Sequence, residues 1–207
     1  CAPSECGQFW YRFFRRRPQF VSLGDVDEKC LSTFRGVIRR LEDAMGKPIL
    51  LKNLPVALRL EAINKALPEA VFLVAKRDLV DNAHSLLAAR KDICGSYETW
   101  LSMEPPNVDE LRRKPVHEQV VEQVRKIHDV IDESRERHGH ERFLDVHYEE
   151  FCRDTRSSLE RIHRFLSYHR VPVVPLAEVP ASFERNARIQ IDANLYRKLR
   201  EYVLGCS

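Results

Sequence analysis

Residues 71–90 read VFLVAKRDLVDNAHSLLAAR, and the fold class follows from them. Val71 to Ala75 is an unbroken apolar run rich in β-branched and aromatic residues. It is too short for a helix of its own and reads as a buried strand. Lys76-Arg77-Asp78 closes it, and a helical period follows at once, with Leu79, Ala83, Leu86, Leu87 and Arg90 on one face at spacings of three and four. Arg77 therefore stands at the carboxyl end of a buried strand, where open α/β sheets bind ligands. Ser85 lies eight residues on, about two turns into the helix and off its apolar stripe. A guanidinium fork and a hydroxyl that converge there form a phosphate clamp. The plainer alternative pairs Arg77 with Asp78 or Asp81 and leaves Ser85 solvated. Spacing alone keeps both open.

Working upstream, Ile49-Leu50-Leu51 reads as a second short strand ending in Lys52-Asn53-Leu54-Pro55. Pro55 suits the first turn of a helix carrying Val56, Leu60, Ile63 and Leu67. Strand, helix, strand is a βαβ unit, which implies parallel pairing and a right-handed crossover. Downstream, Phe143–His147 alternates as a third strand, Tyr148-Glu149-Glu150 follows, and a further helix carries Leu159, Ile162 and Leu166. The expectation is an α/β fold of three layers: a short parallel sheet with strands near 49–52, 71–75 and 143–147, flanked by helices, within one domain over residues 1–207.

The other segments read as scaffold or as coverings. Asp25 as N-cap and Glu28 three residues later resemble a capping box, opening a helix with Cys30, Phe34, Val37, Leu41 and Met45 on one stripe and a stop at Gly46. Val116–Arg137 is a long amphipathic helix, and a last helix spans about Asp192 to Val203. Glu5–Phe14 (ECGQFWYRFF) is aromatic-rich and reads as a short helix or a lid. Arg15-Arg16-Arg17 is a solvated turn or a grip for a polyanion. Residues 91–115 form a long irregular excursion, either a lid or partner surface or a packed connection. Near the C-terminus, Phe183–Arg188 (FERNAR) places Arg185 and Arg188 around Asn186.

Composition narrows the function classes. With 207 residues, 31% charged and 43% hydrophobic, the chain is an ordinary globular protein. Its 34 basic and 31 acidic residues leave a net charge of +3, which lacks the dense basic footprint of a general nucleic-acid binder. No apolar run reaches the roughly 20 residues of a membrane span. The six cysteines are scattered without a CxxC pair and read as thiols in a reducing, cytoplasmic setting. His138 and His140 stand close together, but further ligands at fitting spacing are not nearby, so no metal is expected.

Three features in order give the chain its resemblance to the sulfotransferase superfamily, enzymes that move a sulfuryl group from 3′-phosphoadenosine-5′-phosphosulfate (PAPS) to a hydroxyl or amine. The family's 3′-phosphate motif, an Arg at a strand end and a Ser eight residues later, matches Arg77 and Ser85. Its upstream strand closing in Lys before a Leu-Pro step matches Leu51-Lys52-Asn53-Leu54-Pro55. Its downstream strand closing in Tyr-Glu-acid before a helix ending in Phe-Leu matches HYEEFCRDTRSSLERIHRFL at 147–166. The match runs over about Ile49 to Leu166.

From this resemblance follow the expected roles. Sulfuryl transfer is an in-line displacement at sulfur, in which the acceptor oxygen bonds to sulfur as the bond to the bridging oxygen of the 5′-phosphate breaks. Lys52 would stabilise the charge growing on that bridging oxygen. Arg77 and Ser85 would hold the 3′-phosphate and fix the donor's register. Tyr148 would lie near the adenine, and Arg185, with Arg188, would stand where some members close a C-terminal loop on the 3′-phosphate. Acceptors in keeping with the family are small molecules, carbohydrates or peptide hydroxyls, and the oligomeric state stays open.

Two departures accompany the likeness. The family's N-terminal strand–loop–helix, roughly P-x-R/K-S-G-T-T/S, cradles the 5′-phosphosulfate with backbone N–H groups, and residues 1–48 hold no match. The chain as given is expected to begin downstream of that loop and to be a poor catalyst. Cytosolic members also carry a catalytic His in the Lys-x-His-Leu-Pro step, where this sequence has Asn53, whose amide is no base at neutral pH. His84 is a weak substitute, since adjacent helical residues point about 100° apart. Competing readings are a nucleotide kinase, which needs GxxxxGK[ST] and lacks it here, and a catalytically inactive nucleotide-fold module that binds a partner through Phe9–Phe14 and Tyr97–Trp100.

Overall fold

The computed structural model describes residues 7–174, 178–185 and 188–205. In chain order its helices and strands are α1 (Gly7–Trp10), α2 (Glu28–Met45), α3 (Leu60–Ala66), β1 (Phe72–Lys76), α4 (Leu79–Cys94), α5 (Val108–Leu111), α6 (Val116–His138), β2 (Phe143–His147), α7 (Tyr148–Arg153), α8 (Thr155–Tyr168) and α9 (Ala193–Gly205), with single 3-10 turns at Leu23–Asp25, Leu54–Leu58 and His140–Arg142. β1 pairs with β2 in a short parallel sheet flanked by helices, which is the expected α/β class.

The strand expected near 49–52 does not form. The sheet among the described residues is β1–β2 alone, and residues 48–53 are irregular before the turn at Leu54. Leu50 is 86% exposed. A strand is stabilised by a neighbour's backbone ladder and by a covered face, and an apolar triplet between Pro48 and Pro55 finds neither here.

The described residues divide into two compact units: those within 7–73, 130–144 and 160–178 form the first, and those within 74–129, 145–159 and 179–205 the second. In the first, fully buried Phe34 of α2 is the centre of an aromatic cluster. The rings of Phe9, Trp10, Phe13 and Phe14 lie 5.2–6.2 Å from it, and Ala62, Ile63 and Ala66 of α3 complete that core. The aromatic stretch is thus core rather than lid over its described part. Asp27, not Asp25, caps α2 by accepting the Cys30 N–H at 2.6 Å. Asp25 instead accepts from the Ser22 backbone N–H and hydroxyl, closing the preceding 3-10 turn. Two aspartates two residues apart compete for one role, and the second lies in register with the apolar stripe. Gly46 ends α2 at φ 61°, a left-handed conformation that favours glycine. Where the strands begin, Phe72 stacks on Phe143 at 4.8 Å, and Arg142 donates to the Ala70 carbonyl.

The second unit packs Ala83, Leu87 and Ala88 of α4 against Val120 and Val121 of α6 and Leu199 of α9. Asp78 caps α4 through the Asp81 N–H at 3.0 Å, and Asp192 caps α9 through the N–H groups of Asn194 and Leu195. Fully buried Arg90 ties down the excursion that follows α4. It donates to Gln119 Oε1 at 2.8 Å, Gln123 Oε1 at 3.2 Å and the Tyr97 carbonyl at 3.3 Å, and its guanidinium lies 4.9 Å from the Trp100 ring centre. Arg112 pairs with buried Glu104 at 2.8 Å. Over residues 97–112 the excursion is therefore a packed connection.

Candidate functional site

The carboxyl ends of β1 and β2 are neighbours because the strands are parallel and adjacent, and a candidate side chain stands just past each end. Arg77 follows β1 directly; Tyr148 follows β2 directly and opens α7. The Arg77 guanidinium lies 4.9 Å from the Tyr148 ring centre. Its Nη1 donates to Ser85 Oγ at 2.9 Å. Helix α4 begins two residues after Arg77, so two turns of helix return the Ser85 hydroxyl toward the strand end. The two side chains meet, one of the two arrangements that the spacing leaves open.

Carboxylates set the frame of this cluster. Glu149 Oε1 accepts the Asp78 backbone N–H at 3.0 Å, linking the start of α7 to the cap of α4. Asp81 Oδ2 accepts from Arg185 Nη2 at 3.0 Å. Arg185 is brought there by a segment laid along α7: the Phe183 N–H donates to the Cys152 carbonyl at 2.8 Å, Phe183 stacks on Phe151, and the Thr155 N–H donates to the Ala181 carbonyl at 3.1 Å. Arg188 is exposed, and Asn186 lies outside the described residues.

His84 is engaged with the C-terminal segment. It is 6% exposed, its Nε2 lies 2.9 Å from the Gln190 backbone N, and the Tyr196 ring meets it edge-on at 5.5 Å. A backbone N–H only donates, so Nε2 is the acceptor and the ring is neutral with its proton on Nδ1. Burial pushes its pKa below the ordinary histidine value; Asp81 opposes this and Arg77 adds to it. A histidine whose basic nitrogen already accepts a backbone N–H is not placed to deprotonate an acceptor.

Of the sequence candidates, the structure brings Arg77, Ser85 and Tyr148 together and pairs Arg185 with Asp81, on the same helix as Ser85. Lys52 is exposed and belongs to the first unit. Asp81 and Glu149 escaped the sequence reading as site residues. Asp81 had a readable signal, being four residues before Ser85 and so on the same helix face; the Glu149 contact spans 71 residues and had none. Among the described residues no cluster of three or more His, Cys, Asp or Glu could hold a metal ion. Cys30, Cys94 and Cys152 are free thiols, and no described helix is long and apolar enough to cross a membrane.

Two donors of unlike type, a guanidinium and a hydroxyl, beside an aromatic face suit a phosphate carried on a flat heterocycle. Among known proteins, the model described as the sulfotransferase family matches residues 3–171. The chain belongs to the sulfotransferase family. This sulfotransferase match includes Lys52, Arg77, Ser85 and Tyr148 and ends before Arg185. No curated protein and no solved structure gives a significant match.

Proposed function

We propose that this sulfotransferase uses PAPS as donor and transfers its sulfuryl group to a hydroxyl or amine of a small-molecule, carbohydrate or peptide acceptor, as a single cytoplasmic domain with a P-loop-like fold. The observation that carries the reading is the 2.9 Å hydrogen bond between Arg77 Nη1 and Ser85 Oγ. A guanidinium and a hydroxyl held side by side in this way are both donors of the kind that grip phosphate oxygens, the serine through its O–H.

In this reading Arg77 and Ser85 hold the 3′-phosphate, and Tyr148 lays its ring against the adenine. Bound there, PAPS supplies the sulfuryl group. Arg77 contributes charge and direction without touching the reacting sulfur, since the 3′-phosphate serves only to fix the register of the donor. Arg185 exchanges Asp81 for the phosphate, a second charge-assisted contact of the same kind. Lys52 is proposed, on the sequence resemblance, to stabilise the oxygen that leaves sulfur.

The test is turnover. The protein incubated with PAPS and a panel of phenols, sugars and tyrosyl peptides should release adenosine 3′,5′-bisphosphate in step with a sulfated product, and Arg77→Ala should lower that rate at least tenfold. Bisphosphate release that no acceptor stimulates and that Arg77→Ala leaves unchanged would refute the assignment.

A further inference from the structure

We infer that His84 is a positioning residue: its unprotonated Nε2 pins the chain at Gln190 and so holds the C-terminal segment against α4 just past Arg185 and Arg188. The inference rests on the donor-site reading above for its functional meaning and on the geometry alone for its structural part.

Helix α4 meets the C-terminal segment twice. Asp81 takes Arg185, and His84, three residues on, takes the Gln190 N–H at 2.9 Å. These two attachments bracket the stretch that carries Arg185 and Arg188, the arginines proposed to reach the phosphate. Just past the second attachment, Ile191 is buried in the core with Leu87 and Leu199, and Asp192 caps α9. Gln190 is thus where the segment leaves the site and joins packed structure. Its N–H has His84 as partner.

The bond has a built-in condition. A protonated imidazole would set an N–H against the Gln190 N–H, and the contact would turn from attraction to repulsion. The charged and titratable groups around the ring are Asp81 on the same helix, Arg77 at the end of β1, and Tyr196 from α9. Burial and Arg77 favour the neutral ring, so at neutral pH the latch is formed; Asp81 favours the charged ring and sets how far the pH must fall to open it.

Two variants of the full chain separate this from a packing role. His84→Gln keeps an acceptor at the Nε2 position at every pH, and His84→Leu removes it. At pH 7.5 the Gln190 amide should be protected from hydrogen exchange in the native protein and in His84→Gln, and about fivefold less protected in His84→Leu, the effect of one hydrogen bond. Over a series of pH values falling below the ordinary histidine range, the native protein should lose that protection as His84 takes up a proton, while His84→Gln keeps it throughout. Affinity for adenosine 3′,5′-bisphosphate at pH 7.5 should fall about fivefold in His84→Leu and be restored in His84→Gln. Equal Gln190 protection in the native protein and His84→Leu would overturn the inference. So would imidazole nitrogen shifts showing a proton on Nε2 at pH 7.5, a measurement that stands even if His84→Leu fails to fold. Absence of bisphosphate binding in the native protein would instead count against the donor site, with the exchange data still deciding the latch.

Discussion

Asp81 accepts a hydrogen bond from Arg185 at 3.0 Å while standing one helical turn before Ser85 on the same face of α4. An acid thus sits beside the candidate phosphate site and holds one of the cations assigned to it. Any anion arriving there meets the carboxylate's charge and competes with it for Arg185.

Asp81→Asn should therefore tighten binding of adenosine 3′,5′-bisphosphate by about three- to tenfold at low salt, the size of a partly exposed charge interaction. The gain should shrink as salt rises. Calorimetry at two ionic strengths measures both. Weaker binding in the variant would show that Asp81 serves the site by aiming Arg185 rather than by restraining it.

Arg90 has its pKa pulled down to about 10 by burial, a sign of how little water reaches it. Replacing it with Met would strand the amide oxygens of Gln119 and Gln123 that it now satisfies. We expect a loss of about 2–4 kcal/mol in urea denaturation, together with faster proteolysis within residues 97–112. Retained stability would mean that the excursion is held by its other contacts.

Acid should destabilise the fold through two histidines. Burial lowers the pKa of His84 and His117 in the folded state, whereas the unfolded chain has the ordinary value near 6.5. Below that value the unfolded chain binds more protons than the folded one. Stability therefore falls as pH drops through about 6.5 and levels off below the folded pKa values. Urea midpoints at pH 7.5, 6.5 and 5.5 should show this fall, and the double variant His84→Gln/His117→Gln should flatten it. An equal fall in the variant would assign the acid sensitivity to other groups.

Phe34→Ala removes the ring that four other aromatic rings surround. A cost of about 3–5 kcal/mol is expected from lost burial and the cavity left behind. A cost below about 1 kcal/mol would mean that Phe9 to Phe14 collapse into the space.

What sequence revealed and what it hid divide along contact range. Arg77 and Ser85 were legible because a strand end and two helical turns fix their relation locally. Tyr148 was placed by a resemblance, and its contact with Arg77 depends on β1 lying next to β2, a pairing across some 70 residues that no period reports. Residues 49–51 show the same limit from the other side. Their composition matched that of a buried strand, but burial needs a partner, and Leu50 faces solvent. Asp25 and Asp27 show that capping residues announce a helix start more surely than its register. The Gln190–His84 bond was beyond reach, since a backbone N–H carries no side-chain signature.

The central claim is that Arg77 and Ser85 recognise the 3′-phosphate, and comparing two ligands that differ by that group tests it most directly. Calorimetry should show adenosine 3′,5′-bisphosphate binding at least tenfold more tightly than adenosine 5′-phosphate, with the difference nearly abolished in Arg77→Ala and reduced about fivefold in Ser85→Ala. Equal affinity for the two nucleotides in the native protein, or a preference that survives Arg77→Ala, would contradict it.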